Sequence, residues 1–329
     1  MLRHLLDGSC LIAISRTNEA TIQDTEDKRI GYFRLLYRAT PANIYLHDTP
    51  STSVPIGGVT STSRQQVQNM TNLLRDKVVA ITGSSSGIGR AIAIACATQG
   101  ACLVLHHLNS SEAQHDVETL VEELSQINAD LKHSTFSADI THPSAADGLI
   151  SNAVRHHGRL DCLVNNAGIC KFSDYHDVSQ RLLEQHMAVN FTATYMFTQA
   201  ATKQMVKQGH GGSIVSIASI TAALGSSTLT HYSPTKAAIL GMTVSCAVAL
   251  GPDGIRFNSV SPGTIETSMN KAHLDTDGVR EGLAARVPLR RLGKPEDVAK
   301  AVVFFASDLS QYVTGQSLLV DGGASIFYQ

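Results

Sequence analysis

The stretch His231-Tyr232-Ser233-Pro234-Thr235-Lys236 brings together two groups suited to moving a proton. Tyr232 and Lys236 are four residues apart, so on a helix they share one face. Pro234 suits the opening turn of such a helix, where its missing N–H is not needed. A free tyrosine titrates near ~10 and a lysine near ~10.4. A neighbouring ammonium favours the phenolate, so Tyr232 is expected to exchange a proton near neutral pH. Alone, this spacing is an unremarkable surface pair. Ser219, 13 residues upstream, raises it above that. It follows the apolar run Ser213–Ile217, and its hydroxyl would hold a substrate oxygen while Tyr232 moves the proton. Ser216 competes for that role and is expected to face packing instead.

A second constellation is Thr82-Gly83-Ser84-Ser85-Ser86-Gly87-Ile88-Gly89, directly after the apolar run Val78–Thr82. A glycine-rich turn between a first strand and a first helix is a dinucleotide signature. Gly83 permits a tight turn, Gly87 lets backbone approach a pyrophosphate, and Gly89 allows close helix–strand packing. Backbone N–H groups of this turn, Ser85 and Ile88 included, would face the phosphates. The next strand ends in His106-His107-Leu108-Asn109-Ser110-Ser111, with no acid before Glu112. An acid there would hold the 2′-hydroxyl of NAD, whereas Asn109 and Ser110 can donate to a 2′-phosphate. NADP is therefore the expected cofactor, with NAD still usable. His106 and His107 read as loop or strand residues rather than ligands. Asn165-Asn166-Ala167-Gly168 follows another apolar run and can set amide groups beside a ribose.

The elements that must hold these residues alternate. Candidate strands are Val78–Thr82, Leu103–Leu105, Ser134–Ser137, Cys162–Asn165, Ser213–Ile217, Arg256–Ser261 and Ser317–Val320, with helical stretches between, such as Gly87–Thr98 and Ser110–Ile127. Apolar strands alternating with helices predict an α/β fold: a single doubly wound Rossmann domain, its seven-stranded parallel sheet covered by helices on both faces. Residues 71–329 form that domain. Residues 1–70 read as a disordered N-terminal extension, polar from Ser51 to Ser63 and punctuated by Pro55, Gly57 and Gly58. No cleavable address is expected there. The formal net charge of −2 gives no reason to expect nucleic acid as partner. No apolar run approaches the ~20 residues of a bilayer span, so no membrane is expected. The six cysteines form no CxxC pair, which argues against a metal site and for a reducing, cytoplasmic compartment.

Taken together, Thr82–Gly89, Asn165–Gly168, Ser219, Tyr232, Lys236 and Pro262-Gly263 resemble the short-chain dehydrogenase/reductase family in order and spacing, from about Leu73 to Gly323. The resemblance implies that Asp139 contacts adenine and Asn166 lies by the adenosine ribose. It implies that Asn190, in Val189-Asn190-Phe191, holds a water linking Lys236 to solvent. Lys236 would also bind the nicotinamide ribose. Pro262, Gly263, Ile265 and Thr267 would flank the nicotinamide. It also implies a homodimer or homotetramer, packed through helices near Asn190 and Tyr232. Within the family the chain is most similar to the L-rhamnose 1-dehydrogenase subfamily, on His107-Leu108, Gly168-Ile169-Cys170, Met205 to Gly212 and Thr230-His231-Tyr232. It departs at Ser84-Ser85-Ser86 and in its long N-terminal extension. The implied reaction is reversible hydride transfer between NAD(P) and a small-molecule CH–OH or C=O group, best an aldose giving a lactone. An NADPH-dependent ketoreductase of a secondary-metabolite or polyketide pathway is the alternative. A cofactor-binding regulator would have no use for Ser219, Tyr232 and Lys236 together. Thr264 to Leu289 reads either as a mobile lid, polar enough for a hydroxyl-rich substrate, or as a solvated surface helix.

Overall fold

Seven apolar runs beyond Leu73 become the strands of one sheet: β4 (Val78–Ile81), β5 (Cys102–His107), β6 (His133–Ser137), β7 (Cys162–Asn165), β8 (Gly212–Ile217), β9 (Ile255–Pro262) and β10 (Gln316–Val320). The computed structural model describes residues 10–14, 19–24, 30–34 and 72–327. The chain divides into two compact units, Met1–Gly58 and Val59–Gln329. In the first, β1 (Cys10–Ile14), β2 (Glu19–Asp24) and β3 (Ile30–Arg34) pair antiparallel in that order. The rest of 1–70, on which the expectation of disorder falls, lies outside the described residues.

In the second unit the strand order is β6-β5-β4-β7-β8-β9-β10, every pair parallel. This is the doubly wound Rossmann sheet the sequence predicts. The winding reverses between β4 and β7, so their carboxyl ends open the crevice where ligands bind in such folds. Helices α1 (Gly87–Thr98), α2 (Ser111–Ile127), α3 (Ala145–His157), α4 (Gln180–Met187), α5 (Thr194–Gln208), α6 (Tyr232–Leu250), α7 (Lys271–Leu274), α8 (Val279–Ala285) and α9 (Pro295–Ala306) follow along the chain.

Alternation along β4 divides the core in two, because successive strand side chains point to opposite faces. Val79 and Ile81 pack with Ile92, Leu120, Leu124, Val302 and Phe305 from α1, α2 and α9. Val78 and Ala80 pack with Leu149, Phe197, Ala201 and Met205 from α3 and α5. Both faces being covered, β4 has no solvent side and its run is apolar throughout. Each such aliphatic or aromatic side chain contributes roughly 1.5–3 kcal/mol by leaving water.

One helix calls for comment. Tyr232–Asp253 is a 22-residue helical stretch whose most apolar 18-residue window has a mean hydropathy of 1.3, enough by length and composition alone for a membrane span. Its unbroken apolar part starts only after Lys236 and ends before Pro252, which is shorter than a bilayer span. In the fold it packs against β9, turns Lys236 inward, and leaves Val244 and Val248 exposed.

The amino edge of β4 is tied by Asp161, just before β7. Its Oδ2 accepts the Val78 N–H at 2.8 Å and the Arg159 Nε–H at 2.9 Å, and its side chain is 8% exposed. Asp161→Ala leaves a buried N–H unpaired and is expected to lower stability by about 2 kcal/mol. Thermal melts should show Asp161→Asn, which keeps an acceptor oxygen, recovering part of the loss. Melts indistinguishable from the parent would contradict the tie.

Candidate active site

β8 ends at Ile217, and the chain swings out through Ser219, whose backbone is extended at φ −166 and ψ 155. The Ser219 Oγ accepts from the Thr221 N–H at 3.1 Å and the Thr221 hydroxyl at 3.0 Å. Its own proton is therefore left to give, and it hydrogen-bonds to Tyr232. α6 begins at Tyr232 itself, with Pro234 third in the helix. One turn on, the Lys236 Nζ donates to the Ile217 carbonyl at 2.8 Å and lies 5.6 Å from the centre of the Tyr232 ring. Ser219, Tyr232 and Lys236 are thus gathered at the carboxyl end of β8. Ser216 is buried and accepts from Asn165 Nδ2 at 3.3 Å, a packing role.

The electrostatics differ from expectation. Burial pulls the Lys236 ammonium down to about 8. Burial also pushes the Tyr232 phenol up, Cys170 adds to this, and the Ser219 hydrogen bond draws it partly back. The ammonium donates to the Ile217 carbonyl, and desolvation sets the direction of the phenol's shift. Cys170 was not singled out as a site residue. Its thiol interacts electrostatically with both Tyr232 and Lys236, and burial pushes its own pKa up.

Asn190 sits in a π-helical turn, Ala188–Ala193, between α4 and α5. Such turns recur at functional sites. Its Oδ1 accepts the Ile169 N–H at 2.8 Å, and its Nδ2 donates to the Ile169 carbonyl at 2.9 Å and the Thr235 hydroxyl at 3.2 Å. A Cβ on Gly168 would lie 3.2 Å from Asn190 Oδ1 and 3.6 Å from Lys236 Nζ, so the three residues meet at one point.

The glycine turn fits a dinucleotide. A Cβ on Gly89 would fall 2.0 Å from the Gly83 carbonyl oxygen, so only glycine lets α1 start this close to β4. Gly83 has φ +63, and a Cβ there would meet Ala167 Cα at 3.0 Å. Ser86, the N-cap of α1, makes no side-chain cap, and the first turn holds no acid. The opening amides of α1 are therefore left for an anion. Ile88 packs its side chain on the core, Ser85 is buried, and Gly87 faces the Thr267 methyl.

The remaining candidates are distributed around this turn. Asn166 does not point its amide at open space: Nδ2 donates to the Thr82 carbonyl at 3.0 Å and the Gly83 carbonyl at 2.9 Å, holding the turn. Asp139 follows β6, exposed. Its Oδ1 accepts the Thr141 N–H at 2.8 Å and hydroxyl at 2.7 Å, which holds its carboxyl below the usual range. Asn109 is exposed beyond β5, and Ser110 caps α2 by accepting the Ala113 N–H at 3.2 Å. Arg90, beside the phosphate end of α1, is committed to α2, donating to Glu123 at 2.8 Å and the Asp116 carbonyl at 2.9 Å. Ile265 is buried and bridges to Gly293, and Thr267 caps a short turn through Asn270. Residues 264–289 fold into α7 and α8 rather than one surface helix. Arg280 pairs with Glu266, and His273 stacks on Phe172 at 4.4 Å, joining the segment to the loop after β7.

Comparison with known proteins agrees with this geometry. The family profile for enoyl-(acyl carrier protein) reductases matches residues 83–325. L-rhamnose 1-dehydrogenase (NAD(P)(+)) of Azotobacter vinelandii is 45% identical over 257 residues, 78% of this chain and 100% of the relative. L-rhamnose 1-dehydrogenase (NADP(+)) of Thermoplasma acidophilum is 38% identical over 257 residues, 78% of this chain and 98% of the relative. A short-chain type dehydrogenase/reductase from Mycobacterium marinum superposes with a TM-score of 0.72 at 31% identity, covering 78% of this chain and 98% of that one. With a serine, a tyrosine and a lysine gathered at the end of β8 and a glycine cradle at the sheet's switch point, the chain belongs to the short-chain dehydrogenase/reductase family of NAD(P)-dependent oxidoreductases acting on CH–OH groups.

Proposed function

We propose that the protein oxidises an aldose such as L-rhamnose at C1 to the lactone. The observation that carries the reaction is the convergence of Ser219 and Tyr232, with Lys236 one turn behind. The substrate class rests on the two L-rhamnose 1-dehydrogenases the chain is similar to. The polar segment bearing Asn270, Lys271 and His273 suits sugar hydroxyls.

NAD(P) supplies the hydride acceptor at the nicotinamide. Gly83, Ser85, Gly87, Ile88 and Gly89 form the phosphate turn, and Asn109, Asp139 and Asn166 flank the adenosine end. Ile265, Thr267 and Lys236 flank the nicotinamide end. The Asn109 end has no acid before Glu112 to reject a 2′-phosphate. That supports NADP with NAD also accepted.

Ser219 keeps its proton and donates it as a hydrogen bond that steadies the substrate oxygen. Tyr232 takes the hydroxyl proton in oxidation and returns it in reduction. Burial opposes the phenolate that oxidation requires, so the reaction depends on a charged Lys236 beside it. Asn190 fixes the loop around Lys236 and, through a bound water, would connect it to solvent. The cytoplasm is the proposed compartment, in keeping with the buried thiols Cys96 and Cys162. A homodimer or homotetramer is supported by the apolar surface of α5 and α6, where Tyr195, Met196, Val244 and Val248 are exposed.

With a panel of aldoses and both cofactors, cofactor reduction is expected with L-rhamnose. Silence on every sugar, with turnover of lipophilic ketones, would sink the sugar assignment. Tyr232→Phe is expected to keep cofactor binding and lose ~10²-fold or more in turnover. Light scattering should return the mass of a dimer or tetramer; a monomer at micromolar concentration would contradict the subunit-contact reading of α5 and α6.

A further inference from the structure

The glycine turn is gripped from both flanking strands. Gly83 receives Asn166 Nδ2 on its carbonyl from the β7 side and gives its N–H to His106 Nδ1 at 3.1 Å on the β5 side. The other ring nitrogen of His106 faces the Ala138 carbonyl at 3.2 Å, just past β6. Because Nδ1 must accept from an amide, the ring proton sits on Nε2, which donates to Ala138. The carbonyl of His106 takes both the Ser84 N–H at 2.8 Å and the Ser84 hydroxyl at 3.0 Å. One residue thus ties together the ends of β4, β5 and β6.

The ring is 2% exposed. It meets the edge of Phe197 at 5.9 Å and lies 6.2 Å from Phe136. Burial pulls its pKa down to about 4, so the ring is neutral and Nδ1 keeps its lone pair at physiological pH. The amides of Gly83 and Ser84 are spent on His106, which leaves the anion to the uncapped amides that open α1. The path of the chain into those amides runs through Gly83 at φ +63, the residue held from both sides.

We propose that His106 is a positioning residue for the cofactor: its neutral imidazole orients the turn that receives the pyrophosphate. The inference rests on the NAD(P) reading above. It gives His106 a role outside the catalytic serine, tyrosine and lysine, set by which nitrogen carries the proton.

Calorimetric titration of the full chain with NADP and NAD tests it, because the protein contains no tryptophan to report binding. His106→Phe keeps a ring between Phe136 and Phe197 but removes both nitrogens. It is expected to raise the cofactor Kd about tenfold or more, the effect of leaving a buried amide without its acceptor. The aldose KM at saturating cofactor should change less than about twofold. His106→Asn restores an acceptor and a donor and should recover most of the affinity. Unchanged cofactor Kd in His106→Phe, even with a lowered melting temperature, would overturn the proposal and leave His106 a core residue. Equal weakening in both variants would also overturn it, since ring packing would then be what matters. Should His106→Phe fail to fold, hydrogen exchange of the unaltered protein decides: the Gly83 amide is expected to be strongly protected without cofactor, and rapid exchange contradicts the bond. Failure of the unaltered protein to bind either cofactor would instead sink the NAD(P) reading itself.

Discussion

Lys236 donates its ammonium to the Ile217 carbonyl under the end of β8, at 5% exposure, and the rest of the site depends on that buried charge. A cation removed from water is costly unless it is paired or well hydrogen-bonded. Here the acceptor is a backbone carbonyl where the strand ends, so the sheet itself holds the charge. The phenol one turn away meets the same low-dielectric surroundings, which oppose its ionisation. Burial thus draws the lysine toward neutrality and holds the tyrosine more firmly in its protonated form.

The doubly wound sheet brings this pair to a dinucleotide. Reversal of winding between β4 and β7 opens the crevice, and the crossing strands feed every functional loop from the same edge. The glycine turn leaves β4, the Asn165–Gly168 loop leaves β7, Ser219 leaves β8, and Ile265 and Thr267 follow β9. Asn166 and His106 lock the first of these from opposite sides, while Asn190 locks the second to α6 through Ile169 and Thr235. Rigid contacts between loop roots are what hold reacting groups in a productive geometry.

Much of this was legible because it obeys local periodicities. β4, β7 and β8 are buried on both faces, so they read as largely apolar runs, β8 broken only by Ser213 and Ser216. Tyr232 and Lys236 follow the helical repeat, Gly83 and Gly89 stand where a Cβ would crowd backbone, and Gly87 takes a positive φ. What was not legible is tertiary. The direction of the Tyr232 shift depends on desolvation, which no spacing reports. His106 reads as a loop or strand residue and lies in β5, but nothing local shows that its ring faces Gly83, 23 residues away. The π turn around Asn190 has no periodic signature, and the stack of Phe172 on His273 joins segments far apart in sequence.

The pH dependence of the hydride-transfer rate in the oxidation direction, measured for the protein and for Lys236→Met, tests the central claim most directly. Oxidation needs the phenolate, so the rate should rise with pH through the apparent pKa of Tyr232 in its working complex. With a charged Lys236 beside the phenol, that rise should come at lower pH than without it. Without the charge, it should move up by at least about one pH unit and the plateau should drop. An identical rise in both proteins would mean that the buried ammonium does not govern Tyr232, and the account would be wrong at its root.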